Sequence, residues 1–228
     1  NSREKELQYI DLLYSHRVLG IVVCSHIGET MEHLDSNCPL ISFEREIAEN
    51  IPAVLCDNYQ GGILAANRLF DAGCRNIAIF NPPTKENIPA YSREKAFMKC
   101  CEDKKISGRV VYTDRLAPLS EEFGNNILEL LKKNSDLDGI FATSDVMAAN
   151  IIRACKKMGK RVPEDISIVG FDDTWISTLT YPSITTIHQP VQEMCEYAIE
   201  AIVKKVKSEK VPSQVVFPVE LIDRESTK

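Results

Sequence analysis

The stretch that most constrains the fold is Ile166–Pro190, ISIVGFDDTWISTLTYPSITTIHQP. Its opening, ISIVGF, is an apolar, β-rich run without polar alternation, the pattern of a parallel strand covered on both faces. Two carboxylates, Asp172 and Asp173, stand where that strand must end. Ligands of open parallel sheets bind at the carboxyl ends of strands, so a charged pair there is placed to hold a polar molecule. A second short strand, SITTIHQP, follows the turn at Tyr181-Pro182, and Gln189-Pro190 stops it. Two readings of Asp172 stand side by side: an acceptor for ligand, or the N-cap of the next helix. Asp173 leans towards the cap.

The rest of the chain repeats the same alternation. Leu7, Ile10 and Tyr14 mark a helix over 4–15, and strands follow at VLGIVVCS (18–25), PLISFER (39–45) and IPAVLCDN (51–58), with a short helix near 29–36. A helix from Tyr59 stops at Gly73; NIAIF (76–80), a helix over 92–103, RVVYT (109–113) and a helix marked by Phe123, Ile127 and Leu130 come next. GIFATS (139–144) runs into a helix from Asp145 to Met158 that is capped by Gly159. A helix from Val191 to about Lys207 and a last strand, QVVFPVELIDR, close the chain. Such alternation implies parallel sheets with helices on both faces. There are too many units for one open sheet. Two subdomains joined by crossing strands resolve this, with crossings at 55–58, at 187–191 and near Phe217-Pro218. The expected division is residues 1–55 plus 191–217 against 56–190 plus 218–228.

Charge and cysteine usage narrow the function. Lys and Arg number 27 against 33 Asp and Glu, and the net charge of −6 argues against a nucleic-acid surface within these residues. No apolar run is long enough to span a bilayer, and NSREKE at the start is neither a signal nor a transit peptide, which makes the cytoplasm the expected location. The eight cysteines show no C-x-x-C spacing and lie mostly in apolar stretches, so they read as reduced thiols rather than disulfides or zinc ligands. The four histidines sit in no nucleophile-elbow context, and G-x-S-x-G and the glycine-rich phosphate loops are absent. The expectation is no enzyme, no cofactor and no metal.

A binding cleft has more support, because polar residues recur at strand ends. Glu44 follows PLISF, Asp57 and Asn58 follow AVLC, Asn87 and Arg93 flank the loop after NIAIF, Ser144 and Asp145 follow GIFAT, and Asp172 follows SIVGF. Acceptors, a fork of donors and a flat apolar face suit a polyhydroxylated ligand such as a sugar. Each residue also has a plain structural reading: Asp145 and Asn58 as helix caps, Glu44 as a surface carboxylate, Arg93 as a salt-bridge partner of Glu94 or Asp57.

VLCDNYQGG, LFDAGCRNIAIF, SREKAF, IFATSDVMA, RVPEDISIVGFDDT and TTIHQP occur in the order in which the LacI/GalR family of bacterial transcriptional regulators carries similar phrases. The resemblance covers essentially the whole chain. It implies a type I periplasmic-binding-protein-like fold, two Rossmann-like subdomains with a small effector, a sugar or sugar phosphate, in the cleft between them. It further implies a homodimer, and operator DNA bound through an N-terminal headpiece. That headpiece and a following strand, helix and strand have no counterpart here, so the first subdomain is expected to lack its N-terminal part. By the resemblance, Arg93 matches the effector-binding Arg and Asp172 the hydroxyl-binding Asp. Ser144 stands where the family often has Asn and Glu44 where it commonly has Asp, departures that leave those two contacts open. Gln189 touches ligand or only the hinge. A transport protein of the same fold is the alternative to a regulator.

Overall fold

The computed structural model describes residues 3–24, 38–83 and 88–228. The expected helix near 29–36 and the candidate Asn87 lie outside the described residues. Two compact units emerge, Asn1–Cys56 with Asn87–Pro89 and Pro190–Phe217, and Asp57–Glu86 with Ala90–Gln189 and Pro218–Lys228.

In the first unit, α1 (Arg3–Ser15) leads into β1 (Ile21–Val23), β2 (Leu40–Phe43) and β3 (Ala53–Cys56). After α7 (Val191–Val206), β9 (Gln214–Phe217) completes a parallel sheet of order β1-β2-β3-β9. Ile21, Leu40 and Ile51 form its core with Leu13, Tyr14 and Val18 packed around them. β1 is shorter than the apolar run VLGIVVCS suggests: Leu19 is exposed and carries no ladder bond of the sheet.

The second unit runs α2 (Asn58–Asp71), β4 (Asn76–Asn81), α3 (Tyr91–Lys104), β5 (Ser107–Tyr112), α4 (Glu121–Lys133), β6 (Gly139–Ala142), α5 (Asp145–Lys157), β7 (Ser167–Asp172), α6 (Trp175–Leu179), β8 (Thr185–His188) and β10 (Glu220–Ile222). Its sheet order among the described residues is β10-β8-β7-β6-β4-β5. All its pairs are parallel except β10 on β8, which is antiparallel. The closing segment QVVFPVELIDR is therefore two strands in two sheets, split where Pro218, which has no N–H to give a ladder, follows Phe217. Gly73 and Gly159 act as the sequence indicates, with φ of 88° and 72° just beyond α2 and α5, and Ser120 and Ser144 accept N–H groups in the first turns of α4 and α5.

Phe80, Ile127, Ile140, Met147, Ile151 and Ile168 pack in one core with α4 and α5. Met147 and Ile151 are thus core residues. Phe97, Phe141 and Phe171 stack in turn, centroids 5.9 and 6.4 Å apart. Beside them α2 approaches α3 so closely that a Cβ on Gly62 would lie 2.3 Å from the Arg93 carbonyl oxygen. Backbone cannot yield as a side-chain tip does, so Gly62→Ala is expected to cost roughly 1–3 kcal/mol. Gly124→Ala, whose Cβ meets only Asn150 Oδ1 at 3.4 Å, is the control and should hold or raise the melting temperature. Equal melting of the two variants would contradict the packing argument.

Candidate ligand-binding site

The carboxyl ends of β6, β7 and β8 are neighbours in the six-stranded sheet, and the loops leaving them bring three candidates together. Arg93, on the first turn of α3, is 8% exposed; its guanidinium carbon lies 3.4 Å from the centroid of the Phe171 ring. Its Nε donates to Asn58 Oδ1 at 2.6 Å and a terminal nitrogen to the Thr143 carbonyl at 3.1 Å. The side chain is thus held flat on an aromatic ring by two acceptors, an arrangement that fixes where its other donors point. Ser144 and Asp172 are the next residues in the chain after Thr143 and Phe171, two of the groups that hold Arg93. Gln189, 8% exposed, is one residue beyond His188, the strand partner of Asp172.

The backbone at Asp172 and Asp173 departs from a strand: φ is 100° and 54°, both in the left-handed region. A residue other than Gly holds such a φ only when its surroundings enforce it. The enforcing groups are visible. Asp145, fully buried, accepts the Thr174 N–H at 2.6 Å, the Thr174 hydroxyl at 3.1 Å and the Thr186 hydroxyl at 2.6 Å. Burial pushes its carboxyl above the usual range, against the opposing pull of those hydrogen bonds. Asp173 accepts from Arg224 at 2.6 Å, meets His188 Nδ1 at 3.0 Å and lies 3.3 Å from the Ser177 hydroxyl.

Several local readings give way here. The N-cap of α5 is Ser144, whose Oγ accepts the Met147 N–H, while Asp145 reaches across to β8 and to the turn after β7. Asp173 caps nothing: Thr174 is the N-cap residue of α6, and Asp173 is an ion-pair hub. Asp57, not Asn58, caps α2, accepting the Gln60 N–H at 2.8 Å, which leaves the Asn58 carboxamide to Arg93. Glu44 belongs to the first unit, at the end of β2 with φ 53°. Its Oε1 accepts the Cys56 N–H at 2.5 Å, so this carboxylate ties β2 to β3. The sequence marks Asn58 as a strand-end residue but not as a partner of Arg93, and Phe171 and the Thr143 carbonyl escape sequence reading, because each acts through Arg93, at least 35 positions away. No short-range pattern marks these contacts.

Asp173 yields a pH-dependent expectation. Burial alone would raise its carboxyl, but hydrogen bonds and charge from Arg224 and His188 outweigh that and hold it below the usual carboxylate range. Its contribution to stability is then present above the unfolded value of about 3.9 and is lost as pH falls through the lower folded value. Asp173→Asn should therefore cost roughly 1–3 kcal/mol near neutral pH and flatten the acid limb of a melting-temperature profile below about pH 4. A profile parallel to the parent's would show that the pair contributes nothing.

The comparisons with known proteins agree with this architecture. The periplasmic binding protein-like domain family matches residues 66–227. The chain is 32% identical over 226 residues to the ribose operon repressor of Halalkalibacterium halodurans, covering 99% of this chain and 67% of the repressor. A periplasmic binding protein/LacI transcriptional regulator from Alkaliphilus metalliredigens, solved with D-xylulofuranose, superposes with a TM-score of 0.86 at 33% identity, covering 100% of this chain and 84% of that one. A LacI family regulator from Enterococcus faecium with bound ribose gives 0.83 at 27%, covering 97% and 84%. Sheet order, strand-end residues and these likenesses converge: the chain belongs to the LacI/GalR family of transcriptional regulators, as its periplasmic-binding-protein-like, effector-sensing domain.

Proposed function

We propose that the effector is a small sugar, ribose or a close relative, free or phosphorylated, held at the carboxyl edge of the six-stranded sheet by Arg93 and Asp172, with Ser144 and Gln189 at the rim. The observation that carries this is the Arg93 guanidinium, buried and laid on Phe171 between Asn58 and Thr143, beside a carboxylate on a left-handed turn. Fork donors, an acceptor and an aromatic edge suit ring hydroxyls. The ribose operon repressor among the relatives and the two sugar-bound neighbours support the same ligand class. Glu44 and Asn87 stay as secondary candidates. On this reading ligand shifts a conformational equilibrium by its differential affinity for two states. Operator DNA is contacted by the part of such regulators outside the matched two-thirds, and the protein works in the cytoplasm without catalysis or cofactor. The relatives' names favour this over a transport protein.

Ribose, other pentoses, hexoses and their phosphates should be compared by thermal shift. A ligand at 100 times its Kd adds about 2.7 kcal/mol, read as a rise of roughly 5–11 °C in a chain of this size. A folded protein that melts identically with all of them would remove the sugar assignment.

Dimerisation is part of the proposal. With Met147 and Ile151 in the core, a surface patch of this unit is offered by Trp175, Leu179 and Tyr181, close in sequence and 71%, 72% and 92% exposed on and just after α6. One such patch facing its own copy makes an isologous contact. Light scattering should read twice the chain mass, and Leu179→Asp should shift it towards the single chain. An unchanged mass in that variant would move the interface elsewhere.

A further inference from the structure

Six of the eight cysteines are buried or half-buried; Cys24 and Cys195 are exposed. The fold brings these two to one place. A Cβ on Gly20 would lie 2.6 Å from Ile202 Cγ2, so the face of β1 that Gly20 presents is the one covered by α7. Side chains alternate along an extended chain, which puts position 24 on the same face as position 20. On α7, Cys195 is seven residues before Ile202. Two helical turns differ from seven residues by only about 20°, so Cys195 shares the stripe that carries Ile202.

The heights match as well. α7 leads through 207–213 into β9, which runs parallel to β3, so the helix runs antiparallel to the strands. From Gly20 to Cys24 the extended chain climbs about 13 Å. From Ile202 back to Cys195 the helix climbs about 10.5 Å in the same direction. Both exposed positions therefore lie at about the same height past the carboxyl end of β1, near enough for the charge of one to bear on the other.

We infer that Cys24 and Cys195 are a dithiol modification site that a small-molecule disulfide oxidises to an intramolecular disulfide. One thiolate attacks the reagent, forming a mixed disulfide and releasing one thiol. The second thiolate attacks the protein sulfur of that bond, releasing the other thiol, so the protein loses two hydrogens and the reagent gains them. The bond would pin the second turn of α7 to the end of β1.

Electrostatics bears on the rate and on selectivity. Partial burial, and then the like charge of a Cys195 thiolate, raise the Cys24 thiol above its ordinary value, so exchange accelerates with rising pH. Burial pushes Cys101 up to about 12 and Cys155 up to about 11, which keeps those thiols protonated and inert.

The test is oxidised glutathione added to the native full chain, followed by peptide mapping with and without reductant. The expected product is a reducible cross-link between the Cys24 and Cys195 peptides with no glutathione retained on either. Cys24→Ser should then trap glutathione on Cys195, and Cys195→Ser should trap it on Cys24. Glutathione retained by the parent chain at either position, no reaction at either, or a cross-link to another cysteine overturns the assignment. The parent mapping needs no variant, so it decides the matter even where a substitution perturbs folding.

Discussion

Arg93→Ala is expected to lose roughly 2–4 kcal/mol of sugar binding, a 30- to 1,000-fold weaker Kd, because a buried charge-assisted hydrogen bond is removed and ligand hydroxyls are left unpaired. The magnitude follows from preorganisation. The guanidinium is already desolvated over Phe171 and already held by Asn58 and Thr143, so ligand binding need not order it. Arg93→Lys should recover little, since an ammonium offers no flat fork to lie on the ring while reaching two acceptors. The same contacts mean that Arg93→Ala also loosens the fold, by leaving Asn58 and the Thr143 carbonyl short of a donor. Asp172→Asn separates the two effects: it keeps shape, removes the charged acceptor and should weaken binding comparably with little change in melting temperature. Calorimetry with ribose, or whichever sugar the thermal shift selects, reads both. Parent-like affinity in both folded variants would return Asp172 and Arg93 to purely structural roles.

The second large effect is expected at a residue that no ligand need touch. Asp145→Ala should destabilise the second unit by roughly 2–4 kcal/mol, because three donors from two segments lose their shared acceptor inside the protein. At about 2–4 °C per kcal/mol, the melting temperature drops by roughly 4–16 °C. The site is packed as tightly as it is bonded: a Cβ on Gly170 would lie 2.4 Å from Asp145 Oδ1, so no larger acceptor fits. Asp145→Asn keeps the volume, but its amide nitrogen must either face the Thr174 N–H or take the place of Oδ1 and force the Thr186 hydroxyl to accept instead of donate. It should recover only part of the loss. Because burial raises the Asp145 carboxyl, the native state binds its proton more tightly than the unfolded chain does. Ionisation therefore subtracts stability as pH rises from about 3.9 through the folded value. The parent-minus-Asn difference should therefore be largest in acid, where Asp145 is neutral, and shrink as pH rises. A difference that shrinks on acidification would mean that Asp145 is held as a favourable charge, with the sign of its shift reversed.

The regular elements were legible because their causes are local. The helical stripe of Met147, Ile151 and Ala154, the strand run SIVGF, the stops at Gly73 and Gly159 and the family phrases all lie within a few residues of what they specify. The carboxyl-edge location of Arg93, Ser144 and Asp172 followed too, since parallel sheets leave their loops on that edge. Tertiary structure alone decided which polar atom meets which. Asp145 bonds Thr174 and Thr186, 29 and 41 residues on; Asp173 bonds Arg224, 51 residues on; Arg93 bonds Asn58, 35 residues back. A carboxylate at the start of a helix has the same local sequence whether it caps that helix or reaches across the sheet. The choice is made by where a second strand delivers a buried hydroxyl, because a desolvated donor must find an acceptor and local sequence does not contain the distance between them.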